Sequence, residues 1–190
     1  LEYLRNIVNT ELPSEVSIDY KGESQLYQES GNSILFIFAL ALAITYLVLA
    51  AQFESWIHPL VIMLTVPMAL VGALIGLYFA GMTMNIYSQI GLVMLIGLAA
   101  KNGILIVEFA NQLRDAGYEF EDALRRAATQ RLRPIVMTGF TTVFSALPLV
   151  FATGAGAESR TVIGMVIFAG VLLSAFMTLY IVPTAYYWLA

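Results

Sequence analysis

The stretch GLAAKNGILIVEFA, residues 97–110, places Lys101 in the middle of a long apolar segment and Glu108 seven residues further on. On an α-helix, residues seven apart share a face, and their Cα atoms are separated by about 10 Å along the axis. This separation is too long for a close ion pair unless both side chains reach toward each other. We therefore expect Lys101 to have a different negatively charged partner.

The composition around this stretch indicates a membrane protein. Of the 190 residues, 59% are hydrophobic and 12% are charged, whereas about 25% of the residues in a soluble domain are charged. No Asp, Glu, Lys or Arg occurs between residues 54 and 101, between 133 and 158, or after 160. These intervals exceed the ~20 residues that a membrane-spanning helix needs. The chain has no cysteine, which excludes a disulfide framework and a thiolate metal site.

We predict an all-α membrane protein whose five transmembrane helices cover residues 32–190. The approximate spans are residues 32–51, 58–80, 86–112, 134–153 and 161–188. Pro67 is expected to kink the second span, because proline lacks a backbone N–H.

The segment 118–131 predicts a separate amphipathic helix on the membrane surface. Its Glu121–Arg125 and Asp122–Arg126 pairs have i,i+4 spacing, which stabilises a helix. A solvated connector with the same pairs is the alternative.

Residues 1–31 form a distinct acidic segment with six acidic and two basic residues. Apolar spacing predicts a short helix followed by a strand, ending near Tyr20. The segment is too small to fold alone, so we interpret it as the end of a larger extramembrane domain and the chain as a fragment. Its charge gives no reason to expect nucleic-acid binding.

The distribution of basic residues predicts the orientation. Five of the nine basic residues, Arg114, Arg125, Arg126, Arg131 and Arg133, lie between the third and fourth spans. The positive-inside rule places this loop in the cytoplasm. Counting spans, the N-terminal segment lies outside and the C-terminus lies inside.

Lys101 is the main candidate for a functional residue. A cation at the centre of a spanning helix costs roughly 2.5–3.5 kcal/mol and normally faces a bundle interior or a wet cavity. No other predicted span contains a carboxylate, so the partner is expected on a helix outside this chain or on another subunit. The alternative is that the lysine extends along the helix to the membrane interface.

Polar residues near Lys101 extend the candidate site. Asn102 adjoins the lysine, and Ala99 and Gly103 have the small-xxx-small spacing that allows close helix packing. On the fourth span, four hydroxyl residues share one face and predict a proton or ion path: Thr138, Thr141, Thr142 and Ser145. The alternative is that these hydroxyls bond carbonyls of their own helix.

Several motifs resemble the C-terminal membrane half of resistance-nodulation-division (RND) transporters, specifically the hydrophobe/amphiphile multidrug-efflux group of Gram-negative bacteria. They are QFESW (52–56), GLAAKNGILIVEFA (97–110), RLRPIVMT (131–138) and LVFATGAGAES (149–159). The sequence LPSEVSIDYKGESQLYQESG (12–31) resembles the end of the second large periplasmic loop of this family. The resemblance covers essentially the whole chain.

The resemblance implies proton-driven antiport in the bacterial inner membrane. The lysine matching Lys101 pairs with two aspartates of the N-terminal half, and residues matching Thr138 and Arg131 are linked to proton translocation. From its position beside the lysine, Asn102 is also expected to take part in proton coupling. Glu108 is expected to belong to the possible polar path. The implied assembly is a homotrimer with a periplasmic adaptor and an outer-membrane channel. Because the aspartates and drug pocket are absent, this chain alone is not expected to transport.

Two other functions remain open. An RND relative that exports metal ions or lipids, or assists protein secretion, would share the fold, although the methionines form no obvious single-face cluster. A passive channel or structural membrane subunit would conduct without a pH gradient. The sequence has no pattern typical of an enzyme, a cofactor site or ATP use, and an interfacial role is predicted for the single histidine, His58.

Overall fold

The computed structural model describes residues 21–189, with only the backbone described for residues 23–33. The helix and strand predicted within residues 1–20 lie outside the described part. The chain divides into two units, residues 1–36 and 37–190, and the helical bundle and candidate site belong to the second unit.

The described residues form six helices and no strand. We number them α1 to α6 in chain order: Glu23–Phe53, Ile57–Met63, Thr65–Phe79, Ile86–Asp115, Phe120–Val150 and Ala157–Leu189. With α2 and α3 taken as one segment, five segments are long and apolar enough to cross a membrane. The chain is therefore a multi-pass membrane protein whose described part is all-α, as the hydropathy pattern predicts.

Helix α6 lies against α3, α4 and α5 and forms the centre of the bundle. Buried side chains form two apolar clusters, one around Ala73, Leu95 and Val166, and the other around Ile62, Ile106 and Tyr186. On α4, Ala99 belongs to the first cluster and Ala100 to the second. The two cores therefore adjoin at the level of Lys101.

The second span is interrupted between α2 and α3, close to Pro67. Leu64 separates the two helices, and the Thr65 hydroxyl donates to the Ile62 carbonyl oxygen at 2.7 Å. Proline at position 67 has no N–H for the carbonyl of Met63, and its ring crowds that carbonyl. The predicted kink is thus a break in the helix, and a hydroxyl satisfies one of the nearby carbonyls.

The amphipathic segment predicted at 118–131 is helical, but it is not a separate helix. Helix α5 runs without interruption through Pro134 to Val150, three residues short of the predicted end of the fourth span. Ile135 is fully buried, so packing immediately after the proline holds the chain in helical geometry despite the lost hydrogen bond. The bend between α4 and α5 instead occurs at Gly117, whose φ of 93° suits glycine.

Helix α4, which carries Lys101, begins at a complete capping box. The Asn85 side chain accepts from the Ser88 backbone N–H at 2.9 Å, and the Ser88 hydroxyl oxygen accepts from the Asn85 N–H at 2.9 Å. Such a cap satisfies backbone donors that the first helical turn leaves free. It fixes the start of α4 and thereby the register that places Lys101 at mid-helix.

Candidate functional site

Lys101 lies at the midpoint of α4, and its side chain is exposed on the surface of the bundle. Among the side chains that the structure describes, none forms an ion pair or hydrogen bond with Lys101. A cation at this depth is costly without a partner. The bundle therefore leaves the lysine available to a group outside the described residues.

The exposed face of α4 extends well beyond Lys101. Glu108 lies on it, two turns further along, and is also exposed. Gly97 lies on it one turn earlier, where a Cβ atom would meet nothing within 4 Å. The remaining exposed members are Ile90, Met94 and Gln112. This face, residues 90–112, is a continuous stripe with a notch beside the lysine.

Asn102 points to the inside of the bundle, away from Lys101. It is only 4% exposed. Consecutive helical residues are rotated by about 100°, so Asn102 faces inward while Lys101 faces outward. The same inner face holds Ala99 and Gly103. The Thr65 hydroxyl donates to the Ala99 carbonyl at 3.4 Å, and a Cβ on Gly103 would lie 3.2 Å from Ile62. The small residues thus provide the close helix approach that their spacing predicts.

The four hydroxyl residues of the predicted path, all on α5, each bond a carbonyl of their own helix. Thr141 donates to Met137 at 2.8 Å, Thr142 to Thr138 at 2.8 Å, and Ser145 to Thr142 at 2.7 Å. Thr138 donates to the Ile135 carbonyl at 3.2 Å. These bonds are the ones that the sequence offered as the alternative to a proton or ion path. Each hydroxyl oxygen still has acceptor capacity for water or another donor.

Arg131 connects α5 to α4 through the Phe109 side chain. Its guanidinium carbon lies 4.4 Å from the centre of the Phe109 ring, a cation–π contact. Its Nε is buried and has no hydrogen-bond partner among the described residues. Arg131 is therefore held against the end of α4 with one donor unused. No hydrogen bond or ion pair between the described side chains joins it to Lys101 or Thr138.

A polar cluster that sequence reasoning missed ties three helices together at the end of the bundle that carries the arginines. The Tyr186 hydroxyl, on α6, donates to Asn111 Oδ1 on α4 at 2.6 Å and lies 3.1 Å from His58 Nε2 on α2. Arg114 Nη1 lies 3.5 Å from the same hydroxyl. Since the hydroxyl has one proton, which goes to Asn111, His58 Nε2 acts as the donor. The predicted interfacial histidine is thus part of an interhelical hydrogen-bond network.

We expect Tyr186→Phe to destabilise the bundle by about 1–3 kcal/mol, because it leaves a half-buried asparagine and histidine without their shared partner. The matched control is Tyr187→Phe, since Tyr187 is 58% exposed and its hydroxyl has no hydrogen bond among the described residues. Reversible unfolding in mixed micelles would measure both changes in free energy. Equal effects of the two substitutions would show that the Tyr186 network contributes no stability.

No group of three His, Asp or Glu side chains within the described residues is arranged to hold a metal ion. The described part of the site consists of one open stripe that carries Lys101 and Glu108, a hydroxyl face and a polar network. Its most distinctive chemical group is the unpaired mid-membrane lysine.

Comparisons with known proteins identify the family. A toluene efflux pump membrane transporter, TtgB, of Pseudomonas putida is 40% identical over 91% of this chain. The multidrug resistance protein MdtC of Serratia proteamaculans is 41% identical over 92% of it, and an uncharacterized transporter of Haemophilus influenzae is 43% identical over all of it. The chain spans only 16–19% of the length of these relatives. The sequence profile of the AcrB/AcrD/AcrF family matches residues 1–190, and the chain therefore belongs to this family of RND transporters.

Proposed function

We propose that the parent protein is a proton-driven antiporter that exports drugs or other hydrophobic and amphiphilic compounds, and that this chain carries its proton coupling. The observation that carries the proposal is Lys101, at the midpoint of α4 on a face that the described bundle leaves open. The names of TtgB and MdtC, a toluene efflux pump and a multidrug resistance protein, favour the same substrate class.

Proton coupling follows from the cost of the lysine charge. In a low-dielectric site, Lys101 is stable only beside acidic groups, which we expect on a helix of the N-terminal half. Protonation of those acids would weaken their attraction for the lysine. The lysine would then move, and the open face of α4 would change its packing against the other half. Such a charge change biases a helix bundle between two arrangements.

The other predicted site residues have supporting roles in this proposal. Arg131 has a buried, unused Nε donor and would orient an acidic group or water near the end of α4. Thr138 would extend the path from Lys101, with Asn102 stabilising the helix packing behind it. The remaining members of the polar path are Thr141, Thr142, Ser145 and Glu108.

The proposed location is the bacterial inner membrane. The arginine-rich end of the bundle would face the cytoplasm, so the N-terminal segment would be periplasmic and the C-terminus cytoplasmic. Residues 1–31 would then complete a periplasmic domain. The N-terminal half of the same transporter is the required partner, and the whole protein would form a homotrimer with a periplasmic adaptor and an outer-membrane channel.

Transport by the full-length parent protein in vesicles tests this function. We expect an imposed pH gradient to drive accumulation of a fluorescent amphiphile, and addition of the amphiphile to move protons in the opposite direction. A protonophore should abolish both movements. Flux that continues unchanged without a gradient would support the passive channel instead, and proton-coupled movement of metal ions or lipids alone would support the other RND groups.

A further inference from the structure

Two adjoining grooves run along the seam between α5 and α6 and share Leu179. The first groove has an entirely apolar lining, mainly Val136, Gly139, Phe140, Leu172, Ala175 and Phe176. The second lies toward the arginine-rich end of the bundle. The two meet at Leu179, and the second adds charged and hydroxyl groups to a lining that is still partly apolar.

The second groove combines charges, hydroxyls and aromatic rings. Arg125 and Glu121 face each other at 3.3 Å and are both mostly exposed. Tyr180 and Tyr187 are 73% and 58% exposed, and Thr129 also lines this groove. Amphipathic tyrosine rings and an arginine are typical of the headgroup level of a membrane.

The dimensions of the seam match one leaflet. From Leu179 to Leu172 the helix rises by about 10 Å, which lies within the ~15 Å half-thickness of the hydrocarbon core. The groove that contains the charged side chains begins at Leu179, where the apolar groove ends. A molecule with a charged head and an apolar tail of roughly this length fits both grooves.

The seam also lies on the side of α5 opposite to the hydroxyl face. At about 100° per residue, Val136 and Phe140 lie on the other side of the helix axis from Thr138, Thr141 and Ser145. Phe140 and Phe176 are both about half exposed. An apolar surface without hydrogen-bonding groups suits lipid rather than a wet path.

We propose that the α5–α6 seam is a binding site for a single phospholipid of the leaflet beside the arginine-rich loop. The lipid phosphate lies at Arg125, which keeps donors free while it contacts Glu121. The glycerol region lies between Tyr180 and Tyr187. One acyl chain follows the apolar groove past Leu179 to Leu172.

The first test uses the full-length parent protein in lipid nanodiscs that contain a phospholipid with a photoactivatable acyl chain. Mass spectrometry of the peptides would locate the labelled residues. We expect labelling at Leu172, Phe176 or Val136 to exceed that at Leu47 and Leu74, which are exposed on other helices. Equal labelling on all exposed helix faces would overturn the proposal, as would protein–protein cross-links that show the seam covered by another segment.

The second test compares Arg125→Gln with Arg126→Gln. Arg126 is adjacent but stacks on Tyr118, outside the seam. We expect Arg125→Gln to reduce labelling of the seam about tenfold, equivalent to about 1.4 kcal/mol, whereas Arg126→Gln leaves it unchanged. Ala175→Phe, which fills the apolar groove, should reduce labelling even where the headgroup site is intact. Because Arg125 is on the surface, its variant tests the proposal even where Ala175→Phe fails to fold.

The variants test whether the site exists, and a competition experiment decides whether it binds a lipid or only a phosphate ion. Labelling of the seam in Arg125→Gln that equals the labelling in Arg126→Gln would overturn the site, and so would undiminished labelling in a folded Ala175→Phe protein. Inorganic phosphate that competes as well as short-chain phosphatidylglycerol would show an anion site without lipid recognition, and would also overturn it. Competition by phosphatidylglycerol or phosphatidylethanolamine alone supports the phospholipid.

Discussion

Lys101→Met in the full-length parent protein is expected to reduce pH-gradient-driven efflux to the level of protein-free vesicles. Methionine has a similar length and is also unbranched, so the change removes the charge with little change in volume. The acidic groups expected opposite Lys101 would lose their counter-charge and would be protonated at all working pH values. A cluster that stays neutral cannot respond to the proton gradient.

The fold is expected to tolerate this substitution. Placing a lysine at the centre of a membrane helix costs roughly 2.5–3.5 kcal/mol of insertion free energy, whereas an apolar residue has no comparable cost. Arg126→Met is the control, because it also removes one positive charge, but from an exposed position near the end of the bundle. We expect normal efflux in that variant. Thr138→Ala would show whether the hydroxyl at the arginine-rich end of the hydroxyl face of α5 contributes to efflux as well.

The measurement is the initial rate of fluorescent-drug transport at equal amounts of assembled protein. Retained efflux in an assembled Lys101→Met protein would remove this lysine from the coupling site. Lost efflux together with lost assembly would assign Lys101 a structural role, and the coupling proposal would then depend on Thr138→Ala and on Arg131 variants that assemble.

The membrane fold and the shared face of Lys101 and Glu108 followed from local sequence patterns. Long uncharged intervals are sufficient to predict spanning helices, since helix length and bilayer thickness are directly related. The seven-residue spacing placed Lys101 and Glu108 on one face, and both are exposed in the structure. The absence of a carboxylate in the other spans gave the expectation of an external partner, which stays a prediction.

The hydrogen-bond network at Tyr186 could not be predicted in the same way. Tyr186 and His58 are 128 residues apart in sequence, and their contact depends on how three helices end at the same level. Hydropathy identifies each span but contains no information on the rotation of one span against another. The sequence placed His58 near the start of a span, where an interfacial role was the prediction.

The continuity of α5 was missed because the charged segment 118–131 and the apolar span that begins at 134 were predicted as separate helices. Proline removes one hydrogen bond, but a membrane helix tolerates this loss when packing on both sides is favourable. Arg131 against Phe109 and the buried Ile135 provide that packing on either side of Pro134. These contacts involve residues of different helices, so they were not visible in the sequence pattern.

Gly76→Val is expected to destabilise the bundle by about 1–3 kcal/mol from overpacking alone. A Cβ on Gly76 would overlap the Cβ of Ala169, and one on Gly72 would lie 2.7 Å from the Cβ of Leu173. The two glycines form a GxxxG pair on α3, directly against α6. Because lipid competes equally for apolar surfaces, such close backbone packing is a main source of helix association in membranes.

The matched control is Leu74→Val in the same turn of α3. It introduces the same β-branched residue at a position that is 44% exposed, so it measures the effect of helix propensity without a steric overlap. We expect reversible unfolding in mixed micelles to show a large loss for Gly76→Val and a small one for Leu74→Val. Gly76→Ala should give an intermediate loss, since its single methyl group already meets Ala169. Equal stabilities of all three variants would mean that α3 and α6 are not closely packed, and the central position of α6 would have to be abandoned.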